Sequence, residues 1–313
     1  MMEKHNKTGW TALDVPPQNG RATIITGTGG LGYETALVLA RAGGDITLAS
    51  RNPAKGAAAV NKIRAAVPTA NIRFEVLDLA DLASIKEFGA RRRTEHQSLD
   101  LLINNAGVMA PPRRRTTTDG FELQFGTNYL GHFALTALLL PLLRQGEKPR
   151  VVNLCSLSDR SGAINFDDLQ AERQYKPMPV YGQSKLANLM FSLELQRRSD
   201  ANGWGLMSIA AHPGVSRTDL LESGPGASSM MTRMIHLLGP LISQPAVQGA
   251  LPTLFAATSL DAVGGAYYGP DGLGGLRGRP APARVAVAAK DTKAATRLWE
   301  ISERLTNISF GDR

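Results

Sequence analysis

A glycine-rich turn near the start of the chain limits its fold more than any other feature. Residues 21–26 form a short β-branched run, and the chain then reads Gly27-Thr28-Gly29-Gly30-Leu31-Gly32 before a helical apolar pattern begins. Strand, glycine turn and helix in this order are the context that a G-x-G-x-x-G dinucleotide-binding turn requires. Gly27 would bend the chain, Gly29 would let the backbone approach a pyrophosphate, and Gly32 would let the helix pack on the strand. All six residues of the turn are therefore expected to contact the cofactor.

Strands and helices alternate after this turn. Apolar runs at residues 45–50, 72–77, 99–104 and 150–154 read as strands, and helical patterns separate them. This alternation predicts right-handed crossovers and a doubly wound parallel sheet, an α/β fold in a single domain. Ligands of such sheets bind at the carboxyl ends of the strands. Besides the glycine turn, the residues expected to contact a cofactor there are Ser50, Arg51, Asp78, Leu79, Asn105, Ala106, Gly107, Pro213, Gly214 and Val215.

The residue after the second predicted strand bears on which dinucleotide binds. In NAD-binding folds an acidic residue near this position accepts the ribose hydroxyls, whereas this chain has Arg51. A guanidinium matches the geometry of a 2′-phosphate, so the sequence favours NADP. NAD is the alternative if Arg51 is only a loop cation. Asp78, after the third strand, has two interpretations: a contact with the adenine amine, or a cap for the next helix.

Tyr181 and Lys185 lie four residues apart in a stretch with helical periodicity, which would place both on one helix face. A nearby ammonium favours the ionised phenol, so it is expected to lower the pKa of Tyr181 toward the range of a general acid or base. Such pairs also occur on solvated helix faces, and the interpretation therefore needs support from other residues. Ser156, just after the predicted strand 150–154, could hydrogen-bond a reacting carbonyl.

One polar residue interrupts a long apolar stretch. Residues 119–143 read as a single helix with Asn128 in its middle. A polar amide on an apolar helix must be hydrogen-bonded or solvated, so Asn128 marks either a kink or a proton path. We interpret His132, Cys155 and His212 as buried structural residues.

Composition bears on compartment and partners. The chain has 313 residues, 43% of them hydrophobic, and one cysteine, which excludes an internal disulfide. Its longest apolar run, residues 134–143, is about half of what spans a bilayer, and residues 1–20 lack an apolar signal core, so no membrane span and a cytoplasmic location are expected. The net charge of +8 includes two arginine triplets without interleaved aromatics, so no nucleic-acid partner is expected.

The domain organisation follows from the same patterns. Residues 1–20 read as an N-terminal extension and residues 21–313 as one dinucleotide-binding domain. Around residues 220–245 a stretch rich in Gly, Ser and Pro becomes apolar, which favours a substrate lid, with a plain surface excursion as the alternative. Near the C-terminus, a helix over 246–258, a strand near 266–269 and then a Gly/Pro-rich stretch at 270–282 are expected. No metal site is indicated.

These motifs together resemble the short-chain dehydrogenase/reductase family, and within it the branch of retinol dehydrogenases and protochlorophyllide reductases. The resemblance extends over residues 10–306, and the wide gap between Ser156 and Tyr181 is typical of that branch. The motifs that carry it are Asn104-Asn105-Ala106-Gly107, Asn128-Tyr129-Leu130-Gly131-His132-Phe133, Ser156, Tyr181-x-x-x-Lys185 with Leu186-Ala187-Asn188, and His212-Pro213-Gly214. The chain departs from the family in its glycine turn, because residues 26–32 are one residue shorter than Thr-Gly-x-x-x-Gly-x-Gly.

The resemblance implies hydride transfer between nicotinamide C4 and a carbonyl or alcohol carbon. Tyr181 would be the general acid/base, Lys185 would lower its pKa and hold the nicotinamide ribose, and Ser156 would steady the substrate oxygen. Asn128 would hold a water that links Lys185 to solvent, and Thr218 would bind the nicotinamide carboxamide. The expected protein is an NADP-preferring oxidoreductase of a small lipophilic alcohol, aldehyde or ketone, as a homodimer or homotetramer. A dinucleotide-binding sensor or scaffold without turnover is the alternative, favoured by the short glycine turn.

Overall fold

A computed structural model of the chain describes residues 9–217 and 243–311. Its centre is an eight-stranded sheet between two layers of helices, which is why the inner strands are almost entirely apolar. The strands are β1 (Ala22–Thr26), β2 (Asp45–Ser50), β3 (Ile72–Val76), β4 (Leu101–Asn104), β5 (Arg150–Leu154), β6 (Met207–Ala211), β7 (Ser216–Arg217), β8 (Gln244–Pro245), β9 (Tyr267–Gly272) and β10 (Arg277–Pro282). The helices are α1 (Gly30–Arg41), α2 (Pro53–Ala66), α3 (Leu82–Glu95), α4 (Gly131–Leu143), α5 (Pro177–Asn202), α6 (Ala246–Gly249), α7 (Leu251–Thr258) and α8 (Thr292–Thr306).

The order of the strands creates a crevice at one edge of the sheet. The order is β3-β2-β1-β4-β5-β6-β9-β10, with β10 antiparallel to β9 and the other neighbours parallel. β1 pairs with β2 on one side and with β4 on the other, so the connections leave in opposite directions. Ligands bind in the crevice that opens at the carboxyl ends of such strands. The predicted doubly wound α/β sheet in a single domain is therefore confirmed.

Each face of the sheet carries its own hydrophobic core. Helices α3, α4, α5 and α8 pack on one face, and α1, α2 and α7 pack on the other. On the first face Trp299 of α8 is buried, with its ring centroid 5.1 Å from that of Phe133 in α4 and 5.7 Å from that of Phe191 in α5. Burial of one such side chain contributes about 2–3 kcal/mol. These contacts fix the position of α5, the helix that carries Tyr181 and Lys185.

Two elements near the C-terminus differ from the expectation. The strand expected near residues 266–269 extends to Gly272 as β9, and the Gly/Pro-rich stretch at 270–282 includes all of β10, a strand that was not predicted. β10 contains Pro280 and Pro282, which an edge strand tolerates because its outer side needs no ladder hydrogen bond. The single helix expected over 246–258 is divided at Ala250 into α6 and α7, and Pro252 lies in the first turn of α7, where a missing N–H leaves no helix bond unmade.

Residues 9–20 pack onto the second face of the domain. Trp10 lies edge-on against Phe255 of α7, with the ring centroids 5.4 Å apart. The Gln18 N–H donates to the Ala42 carbonyl at 2.8 Å, just after the end of α1. This part of the predicted N-terminal extension is therefore held by specific contacts.

β7 and β8 pair in parallel and flank residues 218–242. Most of the predicted lid at residues 220–245, and Thr218, therefore lie outside the described residues. Over the two described segments, no helix combines the length and the apolarity needed to span a bilayer.

Candidate active site

The glycine turn joins β1 to α1. Gly27 has a φ of +90° and Gly30 a φ of +49°, in the left-handed region where a side chain is strained. A Cβ on Gly32 would lie 2.7 Å from the Gly27 carbonyl oxygen and from Asn105 Nδ2, so only glycine fits there. Gly29 is the N-cap of α1 and offers no capping side chain. The start of the helix therefore turns its backbone N–H groups and its positive dipole end toward the crevice, as in phosphate sites.

The segment after β4 is tied to this turn. Thr26 Oγ1 accepts hydrogen bonds from the N–H groups of Asn105 and Ala106, each at 2.9 Å. Asn105 Nδ2 donates to the Thr26 carbonyl at 2.7 Å. These bonds hold the segment after β4 against the glycine turn. Asn105 therefore helps to fix the conformation of the turn. The remaining turn residues, Thr28 and Leu31, are half-buried.

Ser50 and Arg51 lie at the end of β2, where the adenosine half of a dinucleotide is expected. Arg51 is exposed, and the Ser50 hydroxyl is buried without a hydrogen-bond partner in the described part of the chain. A cation and an unpaired hydroxyl side by side suit a phosphate or a ribose.

Asp78 and Leu79 follow β3. Asp78 Oδ1 accepts a hydrogen bond from the Ala80 N–H at 2.9 Å, which stabilises a local turn. The cap of α3 is Asp81, so the interpretation of Asp78 as the helix cap is wrong; the chain makes one more turn before the helix begins. Leu79 is buried and belongs to the hydrophobic core on the first face of the sheet.

Asn128 lies in a π-helical turn, Phe125–Leu130, that precedes α4. The helix predicted from residue 119 begins only at residue 123, because residues 116–122 form a bridged turn instead. Asn128 Nδ2 donates to the Val108 carbonyl at 2.9 Å and to Ser184 Oγ at 3.0 Å, and its Oδ1 accepts from the Val108 N–H at 2.7 Å. A Cβ on Gly107 would lie 3.2 Å from Asn128 Oδ1 and 3.7 Å from Lys185 Nζ. Asn128 thus locks the segment after β4 onto α5.

His132 connects the π-helical turn to the glycine turn. Its Nδ1 lies 2.9 Å from the Asn128 carbonyl and its Nε2 lies 2.9 Å from Thr26 Oγ1. A carbonyl only accepts, so Nδ1 carries the proton and Nε2 accepts from the threonine hydroxyl. Burial lowers the pKa of His132 to about 4, which keeps the imidazole neutral. The residue is buried as the sequence suggested, and it also couples two parts of the site.

Tyr181 and Lys185 lie on the same face of α5, and both are buried. Lys185 Nζ lies 5.8 Å from the centroid of the Tyr181 ring and donates a hydrogen bond to the Leu154 carbonyl at 2.9 Å. Asn188 Nδ2 donates to the same carbonyl at 3.3 Å. The ammonium is therefore anchored at the carboxyl end of β5, next to the phenol.

Burial dominates the acid–base properties of this pair. It lowers the pKa of Lys185 to about 8 and raises the pKa of Tyr181 to about 12, although a side-chain hydrogen bond with Ser156 opposes the rise for tyrosine. The expectation that the adjacent amine lowers the pKa of Tyr181 is therefore wrong for this structure. The loss of water around the phenol is the largest cause of this rise, and Cys155 and Asp159 add to it.

Ser156 follows β5 and is the N-cap of a 3-10 turn, Leu157–Ser161. Its Oγ accepts a hydrogen bond from the Ser158 N–H at 3.3 Å, and its side chain also bonds to Tyr181. The end of β5 and α5 thus bring Ser156, Tyr181 and Lys185 together. With Asn128, all four residues predicted to be catalytic meet in one cluster.

Asp159 adjoins this cluster and was missed in the sequence analysis. It is buried, and its Oδ2 accepts a hydrogen bond from the Tyr267 hydroxyl at 2.5 Å. Burial raises the pKa of Asp159 to about 6. No local pattern could have identified it, because its partner comes from a strand far along the chain.

The segment from His212 to Val215 follows β6 at the same edge of the sheet. Gly214 has a φ of +63°, and a Cβ there would lie 2.2 Å from the Leu276 carbonyl oxygen. The Val215 N–H donates to that carbonyl at 2.8 Å, while Pro213 offers its carbonyl to Gln244 Nε2 at 2.9 Å. The segment is therefore fixed against the β9–β10 connection, on the far side of the crevice from the glycine turn.

The residues present fit a dinucleotide. A Cβ at Gly32 would fill the space inside the turn. Among the described residues, no side chain caps the N-terminus of α1 and none bonds to the Ser50 hydroxyl. Across residues 9–217 and 243–311, no group of three or more His, Cys, Asp or Glu side chains gathers as a metal site. A buried phenol, ammonium and amide, with a half-buried hydroxyl, at the other end of the crevice can hold a substrate oxygen and exchange a proton with it.

Comparisons with known proteins agree with this geometry. A family model described as short chain dehydrogenase matches residues 21–225. The chain is 42% identical over 294 residues to retinol dehydrogenase 13 of Homo sapiens, covering 92% of this chain and 85% of that protein. It is 39% identical over 305 residues to polyprenol dehydrogenase of Mus musculus, covering 95% and 87% respectively. A solved structure of an uncharacterized protein from Mycobacterium Paratuberculosis is similar with a TM-score of 0.80 at 39% identity, covering 97% of this chain and 100% of that chain.

Fold, site and relatives agree over most of the chain. The matched residues 21–225 include the glycine turn and the cluster around Tyr181 and Lys185. The chain therefore belongs to the short-chain dehydrogenase/reductase family as a retinol-dehydrogenase-like member, an oxidoreductase that acts on CH–OH groups of a small molecule with a nicotinamide dinucleotide.

Proposed function

We propose that the protein interconverts a lipophilic alcohol and its aldehyde or ketone, using NADP(H), with Tyr181 as the general acid/base. The observation that carries this proposal is the convergence of four residues in one cluster at the sheet edge that holds the glycine turn: the buried Asn128, Tyr181 and Lys185 and the half-buried Ser156. Each of the four is fixed by a hydrogen bond, so the cluster is organised before a substrate arrives.

Tyr181 and Ser156 have different roles at the substrate oxygen. The bound nicotinamide supplies or accepts the hydride. In reduction Tyr181 gives its proton to the developing alkoxide, and in oxidation it takes the proton of the alcohol. Ser156 donates a hydrogen bond to the substrate oxygen. A phenol with a pKa of about 12 remains protonated at neutral pH, which suits the donor role.

Lys185 and Asn128 serve Tyr181 and the cofactor. Lys185 has a pKa of about 8, so it exchanges protons near neutral pH and can restore the proton that Tyr181 gives away. It also adjoins Gly107, where the nicotinamide ribose would be held. The Asn128 amide group donates hydrogen bonds to the Val108 carbonyl and to Ser184 Oγ. Asn128 therefore supports the proton path by holding the segment after β4 and helix α5 in place on either side of it.

The choice of NADP rests on the end of β2. Arg51 is exposed there, and α2 begins directly afterwards with Asn52 as its cap. A guanidinium at this position can pair with a 2′-phosphate. A lipophilic substrate is supported by relatives named for retinol and polyprenol, and by the apolar composition around residues 220–245.

The test is NADPH oxidation with a panel of hydrophobic aldehydes, comparing wild type with Tyr181→Phe. Loss of a general acid is expected to lower kcat by about 10²–10⁴-fold, with NADPH binding preserved. Tyr268→Phe is the matched control, since Tyr268 is equally buried and its hydroxyl accepts a hydrogen bond from the Val263 N–H, outside the catalytic cluster. NADPH binding by the wild type without turnover of any aldehyde would favour the sensor or scaffold instead.

A further inference from the structure

Asp159 is a buried acid, and the packing around it does not explain why an acid is present there. None of its surface is exposed, and it lies on the 3-10 turn that begins beside Ser156. Its Oδ2 is bonded to the Tyr267 hydroxyl, whereas its Oδ1 has no hydrogen-bond partner among the described residues. Burying a carboxyl group with one oxygen unsatisfied is unfavourable, so the fold gains nothing from an acid at this position.

Two glycines press the turn that carries Asp159 against α5. A Cβ on Gly162 would lie 2.5 Å from the Gly182 carbonyl oxygen, so the two backbones touch. Gly182 directly follows Tyr181 and lies three residues before Lys185. The carboxyl group therefore has a fixed position relative to both.

Every element packed around Asp159 brings a titratable or charged group toward it. These groups are Tyr181 and Lys185 of α5, Cys155 after β5, Tyr267 of β9, Arg160 of its own turn, and His212 after β6, whose ring lies 5.1 Å from that of Tyr267. Arg160 is exposed and donates to the Gly274 carbonyl at 2.9 Å, so water screens its charge. Burial lowers the pKa of His212 to about 4 and raises the pKa of Cys155, so both are neutral near pH 7.

We infer that Asp159 is a positioning residue that sets the protonation state of the Tyr181–Lys185 pair, an inference that rests on the proposed function. A buried carboxylate favours the ammonium form of Lys185 and disfavours the phenolate form of Tyr181, so it raises the pKa of both. The pKa of Asp159 is itself about 6. Its influence is therefore present above that pH and lost below it.

The first test is the pH dependence of kcat/KM for alcohol oxidation. The value of kcat/KM is expected to rise with pH as the Tyr181–Lys185 pair loses a proton. Asp159→Asn keeps the shape and the acceptor for Tyr267 but removes the charge, so the rising limb is expected to move to lower pH by about one unit. The profiles of wild type and variant are expected to converge below about pH 6, where the wild-type carboxyl is itself neutral. Asp167→Asn removes the same charge from an exposed position nearby and is expected to leave the limb in place.

A second variant tests the same inference if Asp159→Asn does not fold. Tyr267→Phe keeps the acid but removes the hydrogen bond that favours its ionised form. The pH at which the profiles converge should therefore rise. Thermal unfolding of all variants identifies any loss caused by misfolding.

Tyrosine labelled with ¹³C at Cζ gives a readout that does not depend on turnover. The chain has six tyrosines, and Tyr181→Phe and Tyr267→Phe assign the two that matter. The Tyr267 resonance should titrate near pH 6 and lose that step in Asp159→Asn, and the Tyr181 resonance should titrate at lower pH in Asp159→Asn than in wild type.

The two readouts separate the inference from the proposed function. If the wild type turns over no substrate, the proposed function fails, and the two resonances still decide whether Asp159 controls the pair. A folded Asp159→Asn protein with an unchanged Tyr181 titration and an unchanged rising limb would overturn the inference. Uniform loss of kcat at every pH, as from a merely structural role, would overturn it as well.

Discussion

The two ends of the crevice are built from different parts of the polypeptide. At the glycine turn the groups that would contact a ligand are backbone N–H groups. Glycine is required there because a Cβ on Gly32 would collide with the Gly27 carbonyl oxygen. At the other end the working groups are side chains, and burial has shifted the pKa of Tyr181 and Lys185. The first end depends on local conformation, whereas the second depends on packing between distant elements. Mutations at the two ends should therefore fail in different ways.

The largest effect is expected at the side-chain end. Lys185→Met removes the buried amine that anchors beside Tyr181, and kcat/KM should fall by about 10³-fold. The same change should raise Tm, because a methionine avoids the desolvation that lowers the pKa of Lys185 to about 8. Lys62→Met, at an exposed lysine on α2, is the control and should change neither quantity appreciably. A destabilised Lys185→Met protein would contradict the view that function, not folding, requires the amine.

The glycine turn should respond through binding. Gly32→Val forces its side chain into the Gly27 carbonyl and Asn105, so the Kd for NADPH is expected to rise by about 100-fold or more. Gly311→Val is a suitable comparison, because Gly311 is exposed, has no atom within 4 Å of its Cβ position and is not a positive-φ glycine. Isothermal titration measures both. Unchanged NADPH affinity in Gly32→Val would show that the cofactor does not approach this turn.

Cofactor choice should depend on a single exposed cation. Arg51→Glu is expected to weaken NADPH by about 30-fold relative to NADH, the loss of one strong charge-assisted contact. Arg41→Glu makes the same charge change at an exposed site on the end of α1 and should affect both cofactors equally. Equal weakening of NADPH and NADH by Arg51→Glu would remove the basis for an NADP preference.

The link between the two ends is His132, and its contribution should appear in the pH dependence of stability. Its pKa is about 4 when folded and 6.5 unperturbed, so the unfolded chain binds more protons between these values and stability is lost as the pH falls. Between pH 7 and pH 5 this group should reduce the free energy of unfolding by about 2 kcal/mol. Urea unfolding of His132→Gln should show a shallower dependence. An identical slope in wild type and variant would mean that the imidazole is not neutral in the folded protein.

The sequence predicted the part of the molecule that depends on local rules. The limits of β2 and β5, the glycine turn and the register of Tyr181 with Lys185 all follow from periodicity or from glycine conformations. A kink or a proton path at Asn128 was predicted, but the π-helical form of the turn was not, and neither were the partners of the Asn128 amide, Val108 and Ser184, which only the fold brings close. The pairing of Asp159 with Tyr267 has the same origin.

The wrong expectation for Tyr181 has a related cause. Spacing along a helix shows that an amine is near a phenol, but it does not show how much water the fold removes from both. Tyr181 is 5% exposed and Lys185 is 3% exposed, so the loss of water is the largest cause of the pKa shift of each. Burial has to be known before the direction of such a shift can be assigned.

The most direct test of the account follows the hydride itself. NADPH carrying deuterium at C4 is incubated with a hydrophobic aldehyde that the wild type reduces, and the product alcohol is analysed by mass spectrometry. We expect one deuterium on the carbinol carbon, from one face of the cofactor only, and transfer slowed by about 10²-fold or more in Tyr181→Phe at saturating NADPH. An alcohol without deuterium, or equal transfer rates in wild type and Tyr181→Phe, would contradict it.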